Sequence, residues 1–491
     1  MKRILSLILT LVFMQAFGQN NSLPYENTSV VKLKSLTPQI ELALDDFNVT
    51  YLSCRSHVAV PDIIVNEDAK NWLNTNGVAY ETLVEDLKQR IDHENEYMSL
   101  MKAQRDGEAW YNIYRTYDEV QDKLVEIANN SAIATLIDLG NSYENRAIRG
   151  IKFSTGGANK PAVFFNGCQH AREWVTVMAT TYLADHMAQN YTSDDFMQTL
   201  LSIVDVYVVP IVNPDGYVYS HTTNRYWRKN RQPNSGSFAV GTDLNRNWAA
   251  DWNGGQSTST SPSSDVYVGT APFSAPEANV LKNYMESIPN LRGHLDIHSY
   301  SALVLGPWGY SNSQTPDHAE VVSLGNTMND AITNTNGYPF VFGTGDANGA
   351  LYLASGTMPD WSYDGLGALG YTYELRPNSS SGGGFELPDL LSISDFVSIH
   401  VPLTPGTENL LNSESFKIMK NTSFLINTSR GKIVNEKALI SSLSRGDISG
   451  YGTDVLSNEI SFTSTIQSNL IEYSKENTNV IITPHLGGMT K

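Results

Sequence analysis

Hydrophobic and polar positions divide the chain into stretches of different character. Lys2 and Arg3 precede an apolar run from Ile4 to Phe17, and Ala16-Phe17-Gly18 offers small residues for cleavage. That run is too short to span a bilayer comfortably, so residues 1–18 are expected to be a secretory signal peptide. Polar composition then holds to about Arg105, with Val58–Pro61 as a short strand. Asp68–Leu73 and Glu81–Ile91 carry helical spacing, Leu83, Leu87 and Ile91 sharing a face. This pattern predicts a small α+β unit over 19–105. Its last part, Asp92 to Asp106, is strongly polar, and Lys102 and Arg105 mark an exposed linker open to a processing protease.

From Trp110 to about Pro388 strand and helix signals alternate. Ala162–Asn166, Val204–Val212, Gly293–Ile297 and Gly370–Leu375 read as strands, several apolar throughout, as strands buried within an α/β sheet are. After the first of them Val175, Met178, Tyr182 and Leu183 recur at helical spacing. Trp252–Ser264, rich in Gly, Ser and Thr, is expected as a surface loop, and Ser379–Gly384 as a turn. The predicted fold class is α/β, a mixed β-sheet flanked by helices over 106–388, with a change of character over 389–491. No internal repeat is present.

Composition narrows the function classes. An apolar share of 41% and a charged share of 17% over 491 residues fit a globular chain with ample core. A net charge of −18 argues against sequence-independent binding to nucleic acid or an anionic membrane, both of which need a basic face. Cys54 and Cys168 are the only cysteines, so no disulfide framework is legible.

The chemistry starts at His170-Ala171-Arg172-Glu173, where a strand meets a helix. Three-residue spacing places an imidazole and a carboxylate on one side of a helical turn, able to share an ion. By itself the pair carries little weight: His93 and Glu96 repeat it in a polar helix, where it reads as a solvated face. More weight comes from His298, which follows the strand Gly293–Ile297, and from Glu374, near the end of Gly370–Leu375. Loops and strand ends at one edge of an α/β sheet bring such residues together. Two histidines and one glutamate leave a divalent zinc with one net positive charge and an open position, the pattern of catalytic zinc. His294, on the same strand face as His298, reads as a core or supporting histidine.

Residues 110–388 resemble the zinc carboxypeptidases of the pancreatic carboxypeptidase A type. The resemblance rests on HAREW at 170–174, NPDGY at 213–217, NRYWRKNR at 224–231, DLNRNW at 243–248, IHSYS at 297–301, YLASG at 352–356, DW at 360–361 and YELR at 373–376. The polar unit before Arg105 is similar to that family's pro-segment, which folds over the cleft and is removed by proteolysis. The resemblance implies one zinc ion (Zn2+) held by His170, Glu173 and His298. It implies Glu374 as general base toward a water that the metal acidifies, and Arg228 as the group that stabilises the oxyanion. Asn245 and Arg246, with Tyr352 and Arg172, would grip the terminal carboxylate, for which a guanidinium fork is suited. Asp243 is a candidate partner for a ligating histidine.

The position that carries an acid in enzymes preferring basic C-terminal residues is Pro359, beside Met358, which leans the preference toward apolar side chains; Asp346 and Asp360 lie close by. The family's cis peptide after the ELR arginine predicts a cis Arg376-Pro377 bond, since proline cuts the cis penalty to about 0.5–1 kcal/mol.

Residues 389–491 resemble part of the NAD-binding domain of D-2-hydroxyacid dehydrogenases. The matches are SDFVSIHVPLTPGTENLLN at 394–412, FLINTSRGKIVNEKAL at 424–439, GTDV at 452–455 and NVIITPHLGG at 479–488. They replace the long final helix that carboxypeptidases carry. By position Arg430, Glu459 and His485 would be that family's catalytic residues, with Asp454 near the nicotinamide. The glycine-rich turn and ribose-binding acid that NAD requires do not precede this piece. Gly365–Gly370 fits GxGxxG as a string but opens a strand instead of a helix. The tail is therefore expected to be an incomplete Rossmann-like α/β fragment with no cofactor-binding residues of its own.

These readings together describe a secreted zinc exopeptidase (extracellular or periplasmic), made as a monomeric zymogen. Its partners would be peptides or proteins with a free C-terminus and an activating protease. The alternatives are an NAD-dependent dehydrogenase remnant and an inactive peptide-binding fusion product.

Overall fold

The computed structural model describes residues 25–47, 49–52, 61–101, 107–336, 339–345, 352–376, 394–400, 403, 407–457 and 468–483. The chain divides into two units, Met1–Glu386 and Leu387–Lys491. The expected signal peptide, the strand residues 58–60, Cys54, Lys102, Arg105, Asp346, Pro377 with its bond to Arg376, and the turn at 379–384 lie outside the described residues. No helix among the described residues is long and apolar enough to cross a membrane.

The first unit begins with β1 (Thr28–Leu33), α1 (Pro38–Asp45), β2 (Thr50–Tyr51), β3 (Asp62–Asn66), α2 (Glu67–Thr75), β4 (Tyr80–Val84) and α3 (Leu87–Met101). Its strands pair antiparallel in the order β2-β3-β1-β4. Period-two alternation gives this small sheet two apolar faces. Val31, Leu33, Ile63 and Val65 pack with Ala69 and Leu73 of α2. Val30, Ile64 and Val84 face the other way, with Leu87 and Ile91 of α3 and with Tyr226 and Tyr300 from the following domain. The second face therefore belongs to an interface within the unit.

Two expectations need correction here. The helix expected over Glu81–Ile91 begins only at Leu87, because Tyr80–Val84 is a strand that completes the sheet against β1. The stretch after Asp92 is not an open linker as far as Met101: it is α3, and Glu94 is buried at 8% exposure against a cation of the next domain.

The large domain follows with α4 (Tyr117–Asn130), β5 (Ala134–Asn141), β6 (Ala147–Phe153), β7 (Ala162–Gly167), α5 (Trp174–Asn190), α6 (Asp195–Ile203), β8 (Asp205–Val209) and α7 (Pro214–Thr222). Then come α8 (Pro276–Ser287), β9 (Leu291–Ser299), β10 (Leu303–Gly306), α9 (His318–Asn336), β11 (Val341–Thr344), α10 (Met358–Leu366) and β12 (Leu369–Leu375). The eight strands form one mixed sheet in the order β11-β10-β12-β9-β7-β8-β6-β5, with β12, β9, β7 and β8 parallel at its centre. Helices cover both faces. Phe164 and Val209 pack with Trp248, Leu281, Met285 and Trp361 on one side. Ile151, Phe153, Val206 and Val208 pack with Leu124, Met187 and Leu201 on the other. Each such large side chain removed from water contributes roughly 1.5–3 kcal/mol. Trp252–Ser264 is a loop, as expected.

The second unit is a four-stranded parallel sheet, β13 (Phe396–Ile399), β14 (Phe424–Asn427), β15 (Gly450–Thr453) and β16 (Val480–Ile482), in sequential order. Its helices are α11 (Ser413–Ile418), α12 (Glu436–Arg445) and α13 (Asn469–Glu476).

Candidate active site

The C-terminal ends of the adjacent parallel strands β7 and β9 bring the expected metal ligands together, and β12 sets Glu374 beside them. Past the end of β7, Cys168 takes a φ of 60° and turns the chain into His170. Glu173 then stands at the N-cap of α5 but makes no capping hydrogen bond. Its carboxylate goes elsewhere: Oε1 is 2.6 Å from His170 Nδ1, and Oε2 is 3.0 Å from His298 Nδ1. The N–H of Ser299 donates to Oε2 at 3.2 Å. The two Nδ1 atoms lie 3.1 Å apart, and donor atoms of the three residues all fall within 4.8 Å of one another.

The outer nitrogens of both rings face carboxylates. His170 Nε2 is 3.1 Å from Asp243 Oδ1, and His298 Nε2 is 2.9 Å from Asp296 Oδ2. With its Nε2 hydrogen outward, each ring in its neutral form would offer the Nδ1 lone pair toward its neighbour and toward Glu173. Two such lone pairs facing each other beside a carboxylate form a coordination set for a cation, and the nitrogen and oxygen donors suit zinc. His170, Glu173 and His298 are all buried.

Charge balance follows from these contacts. Burial alone would raise the Glu173 carboxyl, but His170 and His298 outweigh it and hold the group far below the usual carboxylate range. Asp243 is likewise pushed up by burial and pulled well down by Arg228 and His170. Burial opposes the charged form of His298, yet Asp296 and Glu173 raise its pKa. Glu374 behaves differently. Loss of hydration and the neighbouring Glu173 and Asp296 charges outweigh His298 and Arg228, and its pKa rises to about 7.

The remaining expected residues are placed as follows. Arg228 is buried and donates through Nε and one terminal nitrogen to Asp243 Oδ2 at 3.1 and 2.9 Å. Asn245 accepts the Met358 N–H at Oδ1 (2.9 Å), which turns its NH2 toward His298 Nε2, 3.3 Å away. Arg246 donates to the carbonyls of Ser257 and Asn245. Arg172 donates to the carbonyls of Tyr51 and Leu52 in the N-terminal small sheet, at 3.1 and 3.4 Å. Tyr352 is half-buried on the segment leading into α10. Met358 and Pro359 are buried in the first turn of α10, and Asp360 accepts the Gly309 N–H at 2.9 Å. Burial moves the Asp360 pKa up to about 7. His294 lies in the core, its pKa lowered by burial to about 4, between Asn166 and Ser362.

Sequence reasoning missed Asp296, with Asn166 and Gln169 that hold it, and the ion pair of Arg225 with Glu94. Asp296 was within reach of the sequence pattern, because strand periodicity puts it on the face shared by His294 and His298. Glu94 carries no such signal.

The glycine string at 365–370 ends a helix and enters a strand. Gly367, at φ 64°, is the left-handed cap of α10, and a Cβ on Gly370 would stand 2.3 Å from the Pro359 carbonyl oxygen. These are packing roles, opposite in order to a strand-to-helix phosphate loop. In the second unit Arg430 lies outside the core, donating to the Ser429 carbonyl, and buried Asp454 accepts from Thr483 Oγ1 at 2.5 Å. Glu459 and His485 lie outside the described residues.

Comparison with known proteins agrees with this geometry. The zinc carboxypeptidase family profile matches residues 120–395, and the NAD-binding domain profile of D-isomer specific 2-hydroxyacid dehydrogenases matches 366–487. Carboxypeptidase A2 of Mus musculus is 34% identical over 370 residues, covering 74% of this chain and 87% of that protein. Carboxypeptidase A1 of Rattus norvegicus is 33% identical over 402 residues, covering 79% and 94%. Among solved structures, thrombin activatable fibrinolysis inhibitor aligns with a TM-score of 0.66 at 26% identity, covering 73% of this chain and 92% of that one. Carboxypeptidase A from Helicoverpa armigera aligns at 0.64 and 28%, covering 74% and 92%. With two imidazoles and a carboxylate converging at the strand ends, the chain belongs to the zinc carboxypeptidase family as a carboxypeptidase A-like metallopeptidase, continued by a piece of a 2-hydroxyacid dehydrogenase NAD-binding domain.

Proposed function

We propose that this chain is a secreted exopeptidase that removes C-terminal residues from peptides, made as a zymogen and dependent on one zinc ion held by His170, Glu173 and His298. The observation that carries this reading is the convergence of those three donors beside Glu374, an acid whose pKa of about 7 suits proton transfer near neutrality. A zinc ion in this set would polarise the scissile carbonyl and acidify the attacking water.

Glu374 takes the proton from that water and returns it to the leaving amine. Arg228, held in place by Asp243, donates to the oxyanion that develops on the carbonyl. Asn245 and Arg246, with Tyr352 and Arg172, hold the terminal carboxylate, which only the last residue of a peptide carries beside the cleavable bond. Buried Met358 and Pro359 favour an apolar C-terminal side chain, and Asp360, committed to the Gly309 backbone and raised by burial to about 7, is a weaker partner for a basic one.

Residues 19–105 act as the pro-segment. Arg172 spends its donors on the carbonyls of Tyr51 and Leu52, so a substrate competes with the N-terminal sheet for that guanidinium. Residues 389–491 lack the phosphate-binding half of a nucleotide site and contribute no dehydrogenase activity.

The test is limited proteolysis of the full chain followed by release of C-terminal residues, with and without a zinc chelator, from peptides ending in Phe or Arg. Release that appears after proteolysis, prefers Phe and stops with the chelator supports the reading. Release insensitive to the chelator sinks it. NADH binding by the full chain would favour the dehydrogenase alternative.

A further inference from the structure

Behind His298 lies a buried polar cluster centred on Asp296. Asp296, fully buried on β9, accepts Asn166 Nδ2 at Oδ1 (2.7 Å) and Gln169 Nε2 at Oδ2 (2.6 Å). A carboxylate only accepts, so both amides must turn their NH2 groups toward it. For Gln169 an independent partner imposes the same orientation. The Trp248 indole, which only donates, gives its N–H to Gln169 Oε1 at 3.1 Å. Asn166 Oδ1, opposite its NH2, lies 2.7 Å from His294 Nε2, so that neutral ring carries its hydrogen there. The third donor to Asp296 is His298 Nε2, at 2.9 Å.

From this arrangement we infer that Asp296 is the positioning residue for the metal ligand His298: clamped by Asn166 and Gln169, it fixes the ring as a Nδ1 donor and sets much of the site's zinc affinity. The inference rests on the zinc reading of the site. Asp243 does the corresponding work for His170, but its charge is shared with the Arg228 guanidinium. Among the described residues Asp296 accepts hydrogen bonds from two neutral amides and one imidazole, so its negative charge acts chiefly through His298 on whatever cation that ring binds. A carboxylate behind a ligating imidazole makes the ring a stronger donor and holds its orientation. Asn166 and Gln169 belong to β7 and the turn after it, and Asp296 to β9. The clamp therefore also ties the segment that carries His170 to the strand that carries His298.

Zinc titration of the metal-free full-length protein against a chromophoric chelator reads the affinity without reference to peptidase activity. Asp296→Asn preserves shape and removes the charge; zinc affinity is expected to fall about 10–100-fold. In the cobalt(II)-substituted protein the visible absorption bands should shift. Asn166→Ala, which leaves Asp296 one donor short and freer to turn, should show a smaller loss in the same direction. Unchanged affinity in Asp296→Asn overturns the assignment, and if that variant does not fold, unchanged affinity in Asn166→Ala does so instead. Wild-type protein separates this result from failure of the peptidase reading. No zinc uptake by wild type sinks that reading, whereas equally tight binding by wild type and Asp296→Asn overturns only the role given to Asp296.

Discussion

His298 and Glu374 occupy paired positions on the adjacent parallel strands β9 and β12. Paired positions in a parallel sheet project to the same face, so an acid stands beside the proposed metal ligand without help from any loop. The strand hydrogen bonds fix the separation of Glu374 and His298, the proposed proton acceptor and metal ligand, as rigidly as the sheet itself.

That pairing sets a pH dependence. A general base must be ionised, and burial raises the Glu374 pKa to about 7, so the active form is lost as pH falls. A cation at the neighbouring donors favours the ionised form and moves the limb to lower pH. A profile of kcat/KM on the processed enzyme should therefore show an acid limb at or below about pH 7, falling roughly tenfold per pH unit. Glu374→Gln should lower kcat by about 10²–10⁴-fold with zinc content unchanged. A Glu374→Gln variant with wild-type kcat would exclude this residue as the base.

If Arg246 grips the substrate as proposed, Gly356 bears on that grip separately from the metal site. It adopts φ 72°, and a Cβ there would stand 2.5 Å from the Arg246 carbonyl oxygen. Gly356→Ala must displace the Arg246 backbone, and a left-handed φ in a residue other than Gly adds strain of order 1–3 kcal/mol. The expected result is a KM raised by about tenfold or more, with zinc affinity unaltered. An unchanged KM would remove Arg246 from the binding site.

Besides the Arg172 contacts and the apolar packing, a buried ion pair joins α3 to the catalytic domain at Arg225. Its Nε donates to Glu94 Oε2 at 2.9 Å, and its guanidinium lies 3.6 Å from the centre of the Trp174 ring. One terminal nitrogen also donates to the Arg172 carbonyl at 3.0 Å. Removing one partner of a buried pair leaves the other charge stranded, at about 3–5 kcal/mol. On the proposed zymogen reading, Glu94→Ala should loosen the pro-segment. Dilution of the nicked but unseparated protein should then release activity at a concentration at least about 100-fold higher than for wild type. Identical dilution curves would mean that this pair does not hold the pro-segment.

How much of this was legible depends on where each partner sits in the chain. His170 and Glu173 are three residues apart, and His298 and Glu374 stand near strand ends, so local pattern and strand periodicity reach them. Asp296 could be reached by the same alternation, two positions before His298. Its clamps could not: Asn166 and Gln169 lie about 130 positions away and carry no mark of their own. Glu94 was hidden by its setting, since a charged helix reads as solvated until the partner that buries it is in view. The Tyr80–Val84 strand was masked because Leu83, Leu87 and Ile91 keep helical spacing across a strand and a helix start.

The second unit presents a sheet with one covered and one open face. Ile399, Leu425, Tyr451 and Val480 pack under Phe416, Leu439, Leu443 and Leu470 of its helices. The alternate positions point the other way, where Phe396 is 68% exposed, Phe424 43% and Ile481 68%. The Phe396 and Phe424 rings stack at 5.5 Å, and a Cβ on Gly450 would lie 2.8 Å from the Phe424 ring, so the aromatic pair spreads across neighbouring strands. Parallel sheets ordinarily bury both faces, and exposed apolar patches of this kind promote association. Replacing Phe396 and Phe424 together by Ser and Lys should lower the binding of a hydrophobic dye by the full chain and raise the concentration at which it aggregates. Zinc affinity and C-terminal residue release should stay at wild-type values, because no residue of the proposed site lies beyond Glu374. A variant that aggregates as readily as wild type would show that this face is not what makes the chain associate.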